Sequence, residues 1–175
     1  GMHEREECSF IEKAIIKKKF KKTIFIDVGA NIGNHTLFFS KHFKQVFSFE
    51  PNTILFDLLT FNSKKFKNIK TFNLGLSDQK KTRKIFFNTE NIGGGSLFQN
   101  HSSLILNKKK YSHKINVDRL DNVLLKKKIK NISVIKIDIE GSEKFAILGM
   151  KNILKKHSPI LMIEIDNKLN SSAHL

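Results

Sequence analysis

Short apolar runs alternate along the chain with segments whose apolar residues recur at helical spacing. Runs of β-branched and aromatic residues, bounded by turn residues, predict strands at Thr23–Val28, Gln45–Glu50, Ile69–Leu74, Ser133–Asp138 and Ile160–Ile165. Ile54, Leu55, Leu58 and Leu59 fall on one face of an amphipathic helix, and Phe145, Leu148 and Ile153, with small Gly149, predict another. Phe10, Ile11, Ala14 and Ile15 show the same spacing among charged residues and place an N-terminal helix within residues 1–22. Strands that alternate with helices require right-handed crossovers and give a mostly parallel sheet covered on both faces. The expected fold class is therefore α/β, doubly wound.

Residues 81–117 break the rhythm: two strand patterns, Arg83–Phe87 and Lys114–Val117, flank a polar loop containing glycine. They read as a small β insertion between core strands three and four. Within that loop, Gly93, Gly94 and Gly95 supply the hinge of a lid over residues 91–103, or else simply a surface loop. No repeat or linker divides the 175 residues, a length that suits one domain.

Charge changes the picture less than its size suggests. The formal net charge of +16 points to an anionic partner, nucleic acid or an anionic membrane surface. Yet the only arginines are Arg5, Arg83 and Arg119, and phosphate recognition favours the arginine fork over lysine. Solvated lysine decoration is the simpler reading. No run approaches the ~20 apolar residues of a membrane span. The lone Cys8 cannot form an internal disulfide or a multi-cysteine zinc site, and a cytoplasmic setting is expected.

The candidate chemistry lies at the ends of the predicted strands. Asp27-Val28-Gly29-Ala30-Asn31-Ile32-Gly33 puts a carboxylate at the end of the first strand, then a tight turn and a helix start. Gly29 and Gly33 allow positive φ, and Asn31 is among the side chains that tolerate it best. The spacing is D-x-G-x-N-x-G, not the dinucleotide fingerprint, and Asp27 would repel a pyrophosphate while suiting an amine or hydroxyl. Glu50 ends the second strand 23 positions later, close to the ~20-residue offset at which a carboxylate meets ribose hydroxyls. Ser77 and Asp78 follow the third strand and can meet an adenine edge, or form an ordinary exposed turn. In Lys136-Ile137-Asp138-Ile139-Glu140-Gly141 the period of two puts Lys136, Asp138 and Glu140 on one face of a central strand, where charges need partners or a pocket. Glu164 completes the rim from the fifth strand. No histidine or cysteine spacing specifies a metal.

Taken in order, "FIDVGANIGNHTLFFSK", "VFSFEPN", "LGLSD" and "VIKIDIEGSEKFAILGM" resemble the FkbM family of S-adenosylmethionine-dependent methyltransferases from about Thr23 to Asp166. The resemblance implies a class I, Rossmann-like methyltransferase fold and O-methylation of a sugar, glycan or natural-product hydroxyl. It implies that Asp27, Gly29, Asn31 and Gly33 line the methionine end of the cofactor, that Glu50 holds the ribose and that Ser77 and Asp78 lie near the adenine. Asp138, Glu140 and Gly141 would then sit beside the transferable methyl group. A hydroxyl nucleophile must lose its proton during transfer, so a general base is needed within ~3 Å; Asp138 is the first candidate, Glu140 the second, and His101 and His113 are outside ones. Family sheets usually continue into a terminal β-hairpin, which is not seen after Ile165. Either the C-terminus is shortened, or a partner chain, such as a second copy, covers the open sheet edge. Two other functions stay open: an RNA or DNA methyltransferase, suggested by the charge, and a non-catalytic cofactor-binding protein.

Overall fold

Five of the apolar runs lie side by side, the three central ones buried on both faces, the condition under which parallel strands are stable. The computed structural model describes residues 20–88, 91–96, 110–125, 127, 129–139 and 141–164. In chain order the elements are β1 (Ile24–Val28), α1 (Asn34–Ser40), β2 (Gln45–Phe49), α2 (Thr53–Ser63), β3 (Ile69–Phe72), β4 (Gly75–Leu76), β5 (Lys81–Asn88), β6 (Asn91–Ser96), β7 (Lys110–Asp118), α3 (Leu120–Leu125), β8 (Ile132–Ile137), α4 (Glu143–Leu148), α5 (Lys151–His157) and β9 (Ile160–Ile163). The core sheet has the order β3-β2-β1-β8-β9 and is parallel throughout. The chain starts near the middle, winds out to β3, crosses over and continues from β8 to β9, the doubly wound arrangement expected.

The helices cover the two faces separately. Phe25, Val46 and Val134 face Phe39 of α1 and Phe43. Ile24, Ile26, Val28, Phe47, Phe49, Ile135 and Ile137 pack against Leu120 and Leu124 of α3, Ala146 of α4, and Met150 and Ile153 that follow it. Each fully buried side chain of this size contributes roughly 1.5–3 kcal/mol, so the two clusters supply most of the drive to fold.

The 81–117 region holds more structure than two strands. β5 and β7 pair antiparallel over their whole length, β6 joins β5 on one side, and β4 joins β7 in parallel on the other. The result is a second sheet ordered β4-β7-β5-β6. Gly93, Gly94 and Gly95 therefore lie in an edge strand and not in a loop hinge, at a place where the pairing register is irregular. Glycine at an edge or bulge is a recurrent use of that residue. Residues 97–103, the rest of the expected lid, lie outside the described residues.

Two further expectations change. The single helix expected around Phe145–Ile153 is two, α4 and α5, separated at Gly149 and Met150. A side chain at Gly149 would meet the Ser77 carbonyl oxygen at 1.9 Å, so the chain bends there against the segment after β4. Asp121 of α3 secures the bend by accepting from the amides of Asn152 and Ile153 at 3.2 and 3.0 Å. Of the helix expected within 1–22, residues 1–19 lie outside the described residues, and Phe20–Lys22 form a 3-10 turn.

Candidate active site at the carboxyl end of the sheet

Register across the sheet lines up Ser48, Asp27, Lys136 and Met162 on four adjacent strands. Side chains at one level of a parallel sheet point to the same face, and residues two apart share it. Ser48 and Glu50, Asp27 and Gly29, and Lys136 and Asp138 therefore all lie on the α1 side, beyond the Phe25–Val46–Val134 layer. The polar residues occupy only the last part of each strand.

Asp27 is fully buried. Its Oδ2 accepts from Thr36 Oγ1 at 2.6 Å, and since a threonine hydroxyl has one proton, Ser48 Oγ must donate to Thr36 across 2.7 Å. Asp27 Oδ1 has no hydrogen-bond partner. Beside it, Lys136 is buried and its Nζ donates to Asp138 Oδ2 at 2.9 Å. Burial opposes the charge on Lys136, but Asp27, Asp138 and Glu164 outweigh it and hold the ammonium above the ordinary lysine range. One cation thus stands among three carboxylates. The Asp138 side chain keeps 31% of its surface open to solvent.

The turn after β1 passes very close to the end of β8. Gly29 has φ 79°, and a Cβ there would lie 1.8 Å from the Asp138 carbonyl oxygen, so no other residue fits without moving the backbone. Gly29 and Ala30 both donate to the Phe49 carbonyl at 3.0 Å. Asn31 takes φ 52° and accepts the Ile32 amide on its own Oδ1 at 2.8 Å, the local bond that makes asparagine tolerable in this conformation. Gly33, at φ 98°, starts α1 against Leu59 of α2.

Glu50 ties the turn to the next strand. Its Oε2 accepts from the Asn31 amide at 2.9 Å and its Oε1 from the Asn52 amide at 2.8 Å. Burial pushes its carboxyl up to about 7; the two amides pull the other way, while Asp27 and Asp138 add to the rise. Ser77 is buried and donates to Asp78 Oδ1 at 3.0 Å, so of this pair the half-buried Asp78 is the one nearer solvent. Arg119 fixes the same turn by donating to the Asp78 carbonyl at 3.0 Å. Glu140 lies outside the described residues, as does His101. His113, on β7, is exposed and lies on the α2 side of the rim, its Nε2 3.5 Å from Thr53 Oγ1.

Four contributors are not evident from strand-end motifs alone. Thr36 and Ser48 complete the Asp27 network; their signal is a small hydroxyl in an otherwise apolar helix and strand. Asn52 caps α2 by accepting the Ile54 amide at 3.0 Å. Glu143 accepts from the Ile139 and Gly141 amides at 3.3 and 3.0 Å and so holds the loop after β8. Asp27 Oδ1, Asn52 Nδ2 and Ser142 Oγ, each just before or beyond the end of a central strand, are buried without a hydrogen-bond partner. Buried polar groups are nearly always paired, so three such atoms on one rim fit a polar ligand bound there.

The sequence model of the Methyltransferase FkbM domain matches residues 27–173. Among solved structures, Methyltransferase FkbM from Methylobacillus flagellatus KT superposes with a TM-score of 0.55 at 20% identity, covering 82% of this chain and 32% of that one. The chain thus spans about a third of that relative's length. An rRNA methylase from Streptococcus thermophilus and the Streptococcus mutans protein SMU.1697c, solved in complex with SAH, each give a TM-score of 0.53 at 12% identity, covering 93% of this chain and 74% of theirs. At these identities the structural likenesses establish the fold, that of class I methyltransferases. No curated protein matches significantly. Because the domain model covers most of the chain and runs through every motif of the rim, the chain belongs to the FkbM methyltransferase family.

Proposed function

We propose that the rim binds S-adenosylmethionine and that the chain methylates a hydroxyl of a sugar, glycan or natural product. The observation that carries the cofactor reading is the trio of buried, unpartnered polar atoms, Asp27 Oδ1, Asn52 Nδ2 and Ser142 Oγ, around a turn too tight to admit a side chain at Gly29. Asp27, with one carboxylate oxygen uncommitted, suits the ammonium of the methionine end. Gly29, Asn31 and Gly33 keep the backbone there low enough for that end to approach. Glu50 retains acceptor capacity on both oxygens after receiving the two amides, which suits a pair of ribose hydroxyls. Asp78, set by Ser77 and Arg119, is available to an adenine amino group. A protein with this fold was solved in complex with SAH, which supports a cofactor of that class.

When bound, the cofactor supplies a methyl group on a positively charged sulfur. Asp138 receives the acceptor's proton: its side chain is open to the rim, and Lys136 holds Oδ2 so that the carboxylate presents a fixed orientation. Glu140, two residues on, is the second candidate. If Asp138 is the base, Asp138→Asn binds S-adenosylhomocysteine with near wild-type affinity and loses turnover by about 10²-fold or more; a variant that keeps most of its turnover moves the role elsewhere.

The substrate is tested with methyl-labelled cofactor and fractionated cell extract. Label entering carbohydrate or a small hydroxylated product supports the reading. Label entering RNA would replace it with the nucleic-acid alternative, and binding without label would leave a cofactor-binding protein.

A further inference from the structure

The rim holds few of the cations behind the +16 net charge, and one cluster of exposed lysines lies on a different surface. Helix α2 buries Leu55, Leu59 and Ser63 against the domain, whereas Ile54 and Leu58, expected on the same face, lie on an outward face that is also apolar. Ile54, Leu58 and Phe61, at helical positions i, i+4 and i+7, are 57%, 47% and 76% exposed, and Phe66 in the following turn is 41% exposed. That turn is ordered: the Lys64, Phe66 and Ile69 amides donate to the Phe61, Ser63 and Phe66 carbonyls at 3.3, 2.9 and 3.2 Å. Exposed Lys64, Lys65 and Lys67 flank the two phenylalanines in the chain, and Asp57 is the sole carboxylate between Glu50 and Asp78.

We propose that this face docks on an anionic lipid bilayer, with Phe61, Phe66, Leu58 and Ile54 at the acyl boundary and the lysines among the headgroups. The chemistry discriminates between partners. An aliphatic stripe offers nothing to a phosphodiester backbone, and the cluster holds lysine without arginine, which favours diffuse attraction to a charged surface over bidentate phosphate contacts. A second copy would bring the same three lysines against themselves, a like-charge contact that opposes association. The inference does not depend on the methyl-transfer reading, because it concerns a surface separate from the rim.

The test is co-sedimentation of the purified chain with vesicles of phosphatidylcholine alone and of phosphatidylcholine mixed with phosphatidylglycerol. Binding is expected only to the anionic vesicles and weaker at high salt. Phe61→Ser with Phe66→Ser should abolish it while the circular dichroism spectrum stays unchanged. Lys64→Gln, Lys65→Gln and Lys67→Gln together should lower the partition coefficient on the order of a hundredfold. The matched triple Lys151→Gln, Lys155→Gln and Lys156→Gln, on α5, should leave it within a few-fold of wild type. Equal losses from the two lysine triples would assign the binding to bulk charge and overturn the proposal. So would vesicle binding that survives loss of both phenylalanines, or self-association through Phe61 with no vesicle binding.

Discussion

The two faces of the core sheet use the same strands for different purposes. Toward α3, α4 and α5 the strands stay apolar to their ends: Val28, Phe49 and Ile137 are as buried as Ile26 and Ile135 before them. Toward α1 each central strand starts apolar and turns polar, from Phe25 to Asp27, from Val46 through Ser48 to Glu50, and from Val134 through Lys136 to Asp138. Buried charges cost desolvation, so the polar half-face is a poor way to stabilise a sheet. One face holds the fold together, and the end of the other carries the proposed binding site. Substitutions at equivalent depth on the two faces should therefore separate stability from ligand affinity.

The largest effect is expected where the two functions meet. Gly29→Ala forces a Cβ into the Asp138 carbonyl at a positive φ, and should cost about 4 kcal/mol or more in urea unfolding together with all cofactor binding. A smaller, pH-dependent effect belongs to Glu50. Its folded pKa of about 7 lies above the ordinary 4.5, so the protonated form favours the fold. The contribution is present in full below the unfolded value and is lost as pH rises through about 7. Glu50→Gln should remove this slope, and its stability relative to wild type should grow by up to about 3 kcal/mol across that window. Ribose hydroxyls favour the ionised carboxylate, so wild-type affinity for S-adenosylhomocysteine should rise with pH up to about 7 and that of the variant should not.

Next comes Lys136→Met, which leaves Asp27 buried beside Asp138 and Glu164 without their shared cation. A loss of about 2 kcal/mol is expected, below that of a wholly buried pair because Asp138 is partly solvated. Because the Lys136 pKa is raised, the wild-type contribution holds below the ordinary lysine value wherever the carboxylates around it are ionised, and it fades above that value. The smallest effect sharpens the contrast from the apolar side: Ile135→Val, fully buried opposite the site, should cost about 1 kcal/mol and leave cofactor affinity unchanged.

Legibility in the sequence followed the same division. The core strands were recognisable because doubly buried parallel strands read as dense β-branched and aromatic runs, and each observed strand lies within a residue or two of its expected bounds. Asp27, Glu50 and Asp138 stood out as carboxylates ending such runs. Thr36 and Ser48 did not, because their role depends on the β1–β2 register, which only the folded sheet defines. The break at Gly149 was hidden because its cause is a contact with Ser77, far away in sequence. β6 was hidden because a run of three glycines carries no strand propensity of its own. Ser77 matched a motif, but only packing reveals that its hydroxyl is turned onto Asp78.

The division between the faces is tested most directly by calorimetric titration of S-adenosylhomocysteine into the wild-type chain, Asp27→Asn and Ile135→Val. One-site binding is expected for wild type and for Ile135→Val, with affinity at least about tenfold weaker for a folded Asp27→Asn, the loss of a charge-assisted hydrogen bond. Equal affinities for all three, or no binding by a folded wild-type chain, would contradict it.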